Sequence, residues 1–192
     1  MEMLLGFLPF IAAAILNALL GPAVGLSVAA LLAGVQIVRE RRAGREVGFL
    51  DVGSFLLFGA LALVFAWTGG KLSTFAIRLV TDLGLLAIVL ASMAVGRPFT
   101  LVYARRMVPE QLWSDPRFLR VNQIITGAWA LAFLVMAAAE AAVLFIPGFP
   151  GWLGVAIVVV ALGAAIVFSR RFPAWIQSRR ARRAAAPARD AG

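Results

Sequence analysis

The chain alternates between long apolar segments and short connections that contain glycine, proline or charged residues. Six apolar segments approach the roughly 20 residues that an α-helix needs to cross the hydrocarbon layer of a bilayer. Because lipid offers no hydrogen-bond partner to backbone N–H and C=O groups, these segments are predicted to be helices, and they are too long for barrel strands. The segments comprise residues 3–20, 22–38, 49–67, 74–95, 121–146 and 152–168.

The connections after the first, third and fifth segments are short and contain Gly or Pro, so each of these pairs is predicted to form a tight hairpin. The sequence therefore predicts an all-α polytopic membrane protein with six transmembrane helices in three hairpins. Its predicted parts are a bundle at residues 1–168, which includes an inner interfacial loop at residues 96–120, and a basic cytoplasmic tail at residues 169–192.

The basic residues are distributed unequally between the two ends of the predicted helices. Of the 18 Lys and Arg residues, all but Lys71 and Arg78 fall within residues 39–45, 97–120 and 170–189, which follow the second, fourth and sixth segments. Since basic residues concentrate in cytoplasmic loops, both termini are predicted to be cytoplasmic. The short Gly/Pro connections are then predicted to face outside.

Composition supports a membrane location and excludes several kinds of chemistry. Hydrophobic residues make up 62% of the chain and charged residues 14%, against roughly 45–50% and about 25% in soluble domains. The net charge of +9 lies beside membrane-length segments, so anionic phospholipid is the predicted partner and nucleic acid is not. The chain has no Cys and no His, which excludes thiol catalysis, disulfides, common zinc sites and the Ser-His-Asp triad. No metal and no cofactor is predicted.

Four polar residues lie within the predicted membrane layer, towards its outer side. Arg78 and Asp82 are one helical turn apart on the fourth segment, while Glu140 and Asn17 lie near the outer ends of the fifth and first segments. An ionisable side chain in this layer costs about 2.5–3.5 kcal/mol on insertion scales. In one hypothesis, Arg78 pairs with one carboxylate while the other binds a proton, a cation or a polar substrate. In the other, Arg78 and Asp82 neutralise each other within one helix, and Glu140, protonated or bonded to Asn17, only locks helices together.

The loop at residues 96–120 is the long connection between the predicted helices. Its residues 99–108 mix apolar side chains with two arginines, a pattern that predicts a short helix in the head-group layer. Asp115 followed by Pro116 is typical of a helix N-cap and first helical position, and it predicts the start of the helix that becomes the fifth span.

The same loop supplies candidates for binding a lipid phosphate. Arginine forms paired hydrogen bonds with phosphate oxygens, and aromatic residues are enriched at membrane surfaces. The alternative is that these residues only anchor the loop at the membrane edge. The candidates are Arg97, Arg105, Arg106 and Tyr103, with Trp113 at the same edge.

Several aromatic, proline and basic positions follow a recognisable order near the predicted membrane edges. They are Phe7-Leu8-Pro9, a basic patch after the second segment, Arg97-Pro98, Trp113, Asn122, Trp129 and Phe133. On these residues the chain resembles, over roughly residues 7–172, the intracellular septation protein A family. The resemblance implies a multi-pass protein of the bacterial inner (plasma) membrane that maintains the envelope or septum, with no known catalysis. Glu140 departs from the family pattern, which has Asn at the corresponding spacing from Trp129.

These observations lead to two hypotheses for function. The first is a non-enzymatic inner-membrane protein that acts in envelope or septum maintenance, through lipid or through other inner-membrane proteins or further copies of itself. The alternative is a small transporter or channel with a polar site formed by Asn17, Arg78, Asp82 and Glu140. A lipid-modifying enzyme would need a nucleophile or a metal, and the few carboxylates are scattered over different segments, so no catalytic residue is predicted.

The predicted topology can be tested with introduced cysteines, because the native chain contains none. In intact cells, cysteines at Gly69 and Gly148 should react with a membrane-impermeant thiol reagent, while cysteines at Ala43 and Ala186 should react only after lysis. Labelling at Ala43 from outside would contradict the whole arrangement.

Overall fold

The computed structural model describes residue 16 and residues 19–185, with side chains up to residue 179. The first predicted span, residues 3–20, lies outside this part of the chain apart from three residues, and Asn17 lies outside it too. The described residues form helices and no strand. The prediction of an all-α protein is therefore confirmed for this part of the chain.

Five long helices correspond to the predicted second to sixth spans, and each is long and apolar enough to cross a membrane. This supports a multi-pass membrane protein, while the first span, the total of six and the orientation stay predictions. We call the end of the bundle that carries the predicted cytoplasmic loops the inner end. The helices are α1 (Pro22–Arg42), α2 (Phe49–Trp67), α3 (Thr74–Ala94), a short α4 (Thr100–Arg105), α5 (Pro116–Phe145) and α6 (Gly151–Ala185), with a 3-10 turn at Glu110–Leu112.

Side-chain caps determine where two of the helices begin. The Asp115 carboxylate accepts a hydrogen bond from the Arg117 N–H at 2.8 Å, and Pro116 occupies the first turn of α5. The predicted N-cap at Asp115 is therefore confirmed. The Ser73 hydroxyl likewise accepts from the Ala76 N–H at 3.1 Å at the start of α3. Both caps satisfy amide donors that a helix leaves unpaired at its first turn.

The short connections after α2 and α5 turn through glycines in the left-handed region. Gly69 has φ 64° and Gly148 has φ 81°, a conformation that side chains with a Cβ rarely adopt. Cysteines at the neighbouring Lys71 and Phe149 would therefore report on the same two connections with less backbone strain.

The last helix continues well beyond the predicted span, which ended at residue 168. α6 runs unbroken from Gly151 to Ala185 with Pro173 inside it, so it is about 52 Å long at 1.5 Å per residue. The apolar pattern ends at Arg170, but Ala and Arg both favour the helix, which explains why the backbone continues where the hydrophobic pattern stops. The basic segment after residue 168 is thus helical as far as Ala185.

α5 is the central helix of the described bundle. It packs against α3 on one side and α6 on another, while α1 packs mainly against α2. The α2–α3 contact is less extensive than the α3–α5 contact. Trp129 of α5 is buried at the inner end, where its ring contacts Phe99 edge-on at 6.3 Å between centroids. Its indole N–H donates to the Ser169 hydroxyl at 3.0 Å and so joins α5 to α6.

The outer faces of the long helices carry large exposed apolar side chains. A water-soluble monomer rarely exposes so continuous an apolar surface, so these faces are the surfaces that lipid would cover. Examples, one from each long helix, are Leu31, Leu63, Leu90, Leu131 and Val160.

The short helix predicted within residues 99–108 is present as α4, but it is packed into the inner end of the bundle. Thr100, Leu101 and Tyr103 are buried. The Thr100 hydroxyl lies 3.2 Å from Asn122 Oδ1 and 2.9 Å from the Thr126 hydroxyl, both on α5. Hydrogen bonding to α5 therefore holds α4 against the bundle, while its position at head-group height stays a prediction.

The Thr100 hydrogen bonds predict a measurable contribution to stability. Thr100→Val keeps the shape of the side chain but leaves the buried polar atoms of Asn122 and Thr126 without this partner. We expect it to lower the free energy of unfolding by about 1–3 kcal/mol, measured as a lower thermal midpoint in detergent. Thr74→Val, at an exposed position, is the matched control, and an equal midpoint for the two variants would contradict the role assigned to Thr100.

Candidate functional site

A groove of about 530 Å³ lies between the inner halves of α2 and α3 and is bounded by the segment that leads into α4. Most of its lining is apolar, contributed by Phe49, Val52, Leu56, Ile88 and Leu101. An apolar groove on the side of a membrane bundle is suited to a hydrocarbon chain.

Small residues give the groove its shape. Ala87 and Ala91 on α3 form part of its wall and leave room where larger side chains would fill the space. Gly53 on α2 brings the backbone close to Ile88, since a Cβ at this position would lie 2.7 Å from the Ile88 side chain. The two helices therefore meet closely at Gly53, and the space opens beside this contact.

The mouth of the groove carries three charged side chains. Arg105 Nη1 lies 2.8 Å from Glu46 Oε2, and Arg97 Nη1 lies 3.9 Å from Glu46 Oε1. The Arg97 side chain is 74% exposed. Arg105 also lies over the Trp113 ring, 5.3 Å from its centroid. Two guanidinium groups and one carboxylate leave a net charge of +1 at the mouth.

One hydrogen-bond donor of Arg105 is unused within the described part of the chain. Its Nε is buried and has no hydrogen-bond partner there. A buried donor without a partner is destabilising unless something else accepts from it. Arg105 would therefore have to turn before this donor could meet an anionic oxygen at the groove mouth.

A neighbouring buried network holds the loop between α1 and α2 in place. Glu40, at the end of α1, is only 4% exposed. Its Oε2 lies 2.7 Å from Arg45 Nε and 2.7 Å from Arg106 Nη2. Because Arg106 follows directly after α4, Glu40 ties α1, the following loop and the α4 segment together, and this positions Glu46 beside Arg105.

Tyr103 belongs to the same network and does not face the lipid surface. It is 2% exposed, and its hydroxyl donates to Asp51 Oδ1 at 3.5 Å. Burial, together with the nearby Asp51 charge, raises the pKa of the Tyr103 hydroxyl well above its ordinary value, so it remains a neutral donor. Asp51 also accepts a hydrogen bond from the Gly48 N–H at 3.0 Å.

The structure therefore separates the four phosphate candidates into two pairs. It brings Arg97 and Arg105 together at the groove mouth, whereas Arg106 faces Glu40 and Tyr103 faces Asp51. Glu46 was missed by the sequence analysis, because it lies 59 residues before Arg105 and no local pattern joins the two.

The outer polar layer is built between α3 and α5. Arg78 Nη1 lies 3.8 Å from Glu140 Oε1, and the Arg78 guanidinium lies over the Phe75 ring at 5.6 Å. Glu140 is 2% exposed and Asp82 is 6% exposed, and Asp82 lies close enough to interact electrostatically with both other groups. Three of the four residues predicted for this layer therefore share it, and Asn17 lies outside the described residues.

No metal centre is evident within the described residues, where no three acidic side chains come together. Comparison of the chain with protein-family models, curated proteins and solved structures finds no match. The groove and the outer polar layer are the two features of the described residues that bear on function.

The Glu40 network gives a prediction that a cycle of variants can test. Replacing Arg45 and Arg106 together by Gln leaves a buried carboxylate without these cations, so we expect the thermal midpoint to fall, by about 1–3 kcal/mol in unfolding free energy or more. Adding Glu40→Gln removes the stranded charge and should recover most of the loss.

The matched control replaces Arg41 and Arg42, two exposed arginines at the same helix end, by Gln. It should change the midpoint little. If Glu40→Gln failed to rescue the double variant, the loss would have to come from something other than the unpaired Glu40 charge.

Proposed function

We propose that this protein binds an anionic phospholipid of the inner leaflet in the groove between α2 and α3. The proposal rests on one observation: an apolar groove opens at a mouth that carries two arginines. One of them, Arg105, has a buried N–H group without a hydrogen-bond partner among the described residues. An acyl chain would lie along Val52, Leu56 and Ile88, and the phosphate would lie at Arg97 and Arg105.

The charges at the mouth favour a phosphate over a neutral head group. Arg97 is held only loosely, at 3.9 Å from Glu46, and its side chain is largely exposed, so it is free to turn towards a ligand. Arg105 is held at the same mouth by Glu46 and Trp113. Arginine binds phosphate oxygens through several N–H groups in a fixed plane, which suits a phosphodiester at this position.

The lining of the groove supports binding without catalysis. Among the described residues that line it there is no hydroxyl, amine or thiol side chain, and the carboxylate there, Glu46, is already paired with Arg105. A lipid-modifying reaction would need an activated nucleophile or a metal at the scissile bond. The role proposed is therefore non-enzymatic.

The cellular role that we propose is maintenance of the envelope or septum in the bacterial inner membrane. It is supported by the resemblance to the intracellular septation protein A family and by the apolar helices. Lipid in the groove would hold α2, α3 and the α4 segment together, in a form available to other inner-membrane proteins or to further copies of the chain.

The lipid proposal is tested by measuring bound phospholipid after purification and in titrations by native mass spectrometry. Replacing Arg97 and Arg105 together by Gln should weaken binding of an anionic phospholipid about tenfold or more, since each basic residue near such a charge contributes about 1 kcal/mol. The matched control, Arg117→Gln with Arg120→Gln, removes the same charge from exposed positions at the start of α5 and should change the affinity little.

A steric variant tests the acyl chain separately from the phosphate. Ala91→Phe fills the groove wall, while Ala164→Phe places the same side chain on an exposed face of α6. Only Ala91→Phe should lower lipid retention. Equal retention in wild type, the arginine double variant and Ala91→Phe would contradict the proposal.

A further inference from the structure

The outer polar layer contains more buried negative charge than positive charge. Arg78 on α3 is the cation that faces it, while Asp82 on α3 and Glu140 on α5 supply two carboxylates. If both acids were ionised, the layer would carry a net charge of −1 in a region with little water. Such a charge is costly unless a proton or a cation compensates it.

One carboxylate oxygen of Glu140 lacks a partner that would compensate its charge. Glu140 Oε1 faces Arg78 at 3.8 Å, which is longer than a hydrogen bond, and Glu140 Oε2 is buried with no hydrogen-bond partner among the described residues. Asp82 lies one turn further along α3 than Arg78 and is also buried. Among the described residues, Arg78 is therefore the cation of this layer, and its ion pair with Glu140 is too long to be a hydrogen bond.

We propose that Glu140 and Asp82 form an intramembrane proton-binding site that holds one exchangeable proton between them, with Arg78 as the counter-charge. The proton is the ligand that this arrangement favours, because it needs no cavity and converts the unpartnered carboxylate oxygen into a hydroxyl. A bound metal cation would need several further oxygen ligands, and these three side chains do not supply them.

Within the described helices, the charge of the site is determined by Arg78, Asp82 and Glu140. α6 packs against α5, and from Gly151 to Ser169 it contains no titratable residue. α1 and α2 contribute acids only at the inner end, namely Glu40 and Asp51, while α4 also lies at that end. Towards the outer surface, Arg78 is partly exposed, so this member of the site is not sealed within the bundle.

Occupancy of this site would control the contact between α3 and α5, which is among the most extensive in the described bundle. With one proton bound, the layer is neutral and the helices pack around it. Without the proton, a buried net charge favours a looser contact that admits water. A site that binds and releases a proton is what the transporter hypothesis requires. Because it shares no residue with the lipid groove, either proposal can fail without the other.

The proposal is tested by infrared difference spectroscopy on the protein in lipid nanodiscs, titrated from about pH 5 to about pH 9, the range in which buried carboxyls titrate. Wild type should show the C=O band of a protonated carboxylic acid that disappears as the pH rises. Glu140→Gln and Asp82→Asn should each change this band, and the double variant should lack it.

Glu110→Gln, at an exposed position in the inner loop, is the control and should retain the wild-type band. The near-isosteric changes preserve hydrogen bonding, and a thermal melt of each variant confirms that it is folded. A band that persists in the double variant, or that is constant over the whole pH range in wild type, would overturn the proposal. Lipid binding by the groove should be unchanged in all three acid variants.

Discussion

The buried Glu40 carboxylate, held between Arg45 and Arg106, is the interaction on which the inner half of the molecule depends. Through Arg45, Glu40 joins the end of α1 to the α1–α2 loop, and through Arg106 it joins α1 to the segment after α4. With α4 held in this way, Tyr103 reaches Asp51 on α2 and Thr100 reaches Asn122 on α5. The mouth of the groove, with Glu46 between two arginines, is formed where these contacts meet.

Buried charged groups occur both at the inner end of the bundle and in the outer polar layer. Their charges are compensated differently in the two places. At the inner end, Glu40 faces two arginines, and Asp51 accepts hydrogen bonds from Gly48 and Tyr103. The Thr100 hydroxyl donates to Asn122 on α5. At the outer layer, one guanidinium faces two acids, and one carboxylate oxygen has no partner within the described residues. The closely paired Glu40 network stabilises a single arrangement, whereas the incompletely paired outer layer responds to its surroundings.

Local patterns in the sequence predicted most of the described fold. Hydrophobic length located the five described spans, and Asp115 with Pro116 marked the start of α5, because these signals act between residues close in sequence. The partners of the charged residues could not be predicted in this way. One hypothesis paired Arg78 with Asp82, one turn away, and the other left its partner open; the ion pair is with Glu140 on another helix. Glu46 and Arg105, or Glu40 and Arg106, are 59 and 66 residues apart, so only the packing of α4 brings them together. The continuation of α6 beyond residue 168 was not predicted, because the hydrophobic pattern used to locate the spans ends at the basic residues. These residues, Arg and Ala for the most part, nevertheless favour the helix.

The unbroken course of α6 has a consequence for the electric field of the molecule. From Arg170 to Ala185 the helix adds about 24 Å of length, roughly three Debye lengths at physiological ionic strength. A flexible basic tail would collapse onto an anionic membrane and be neutralised there. A stiff helix instead keeps its basic residues at fixed spacings along a rod, with Arg179 stacked on Trp175 at 4.3 Å. In the predicted topology, this rod would extend positive potential from the inner end of the bundle into the surrounding solution.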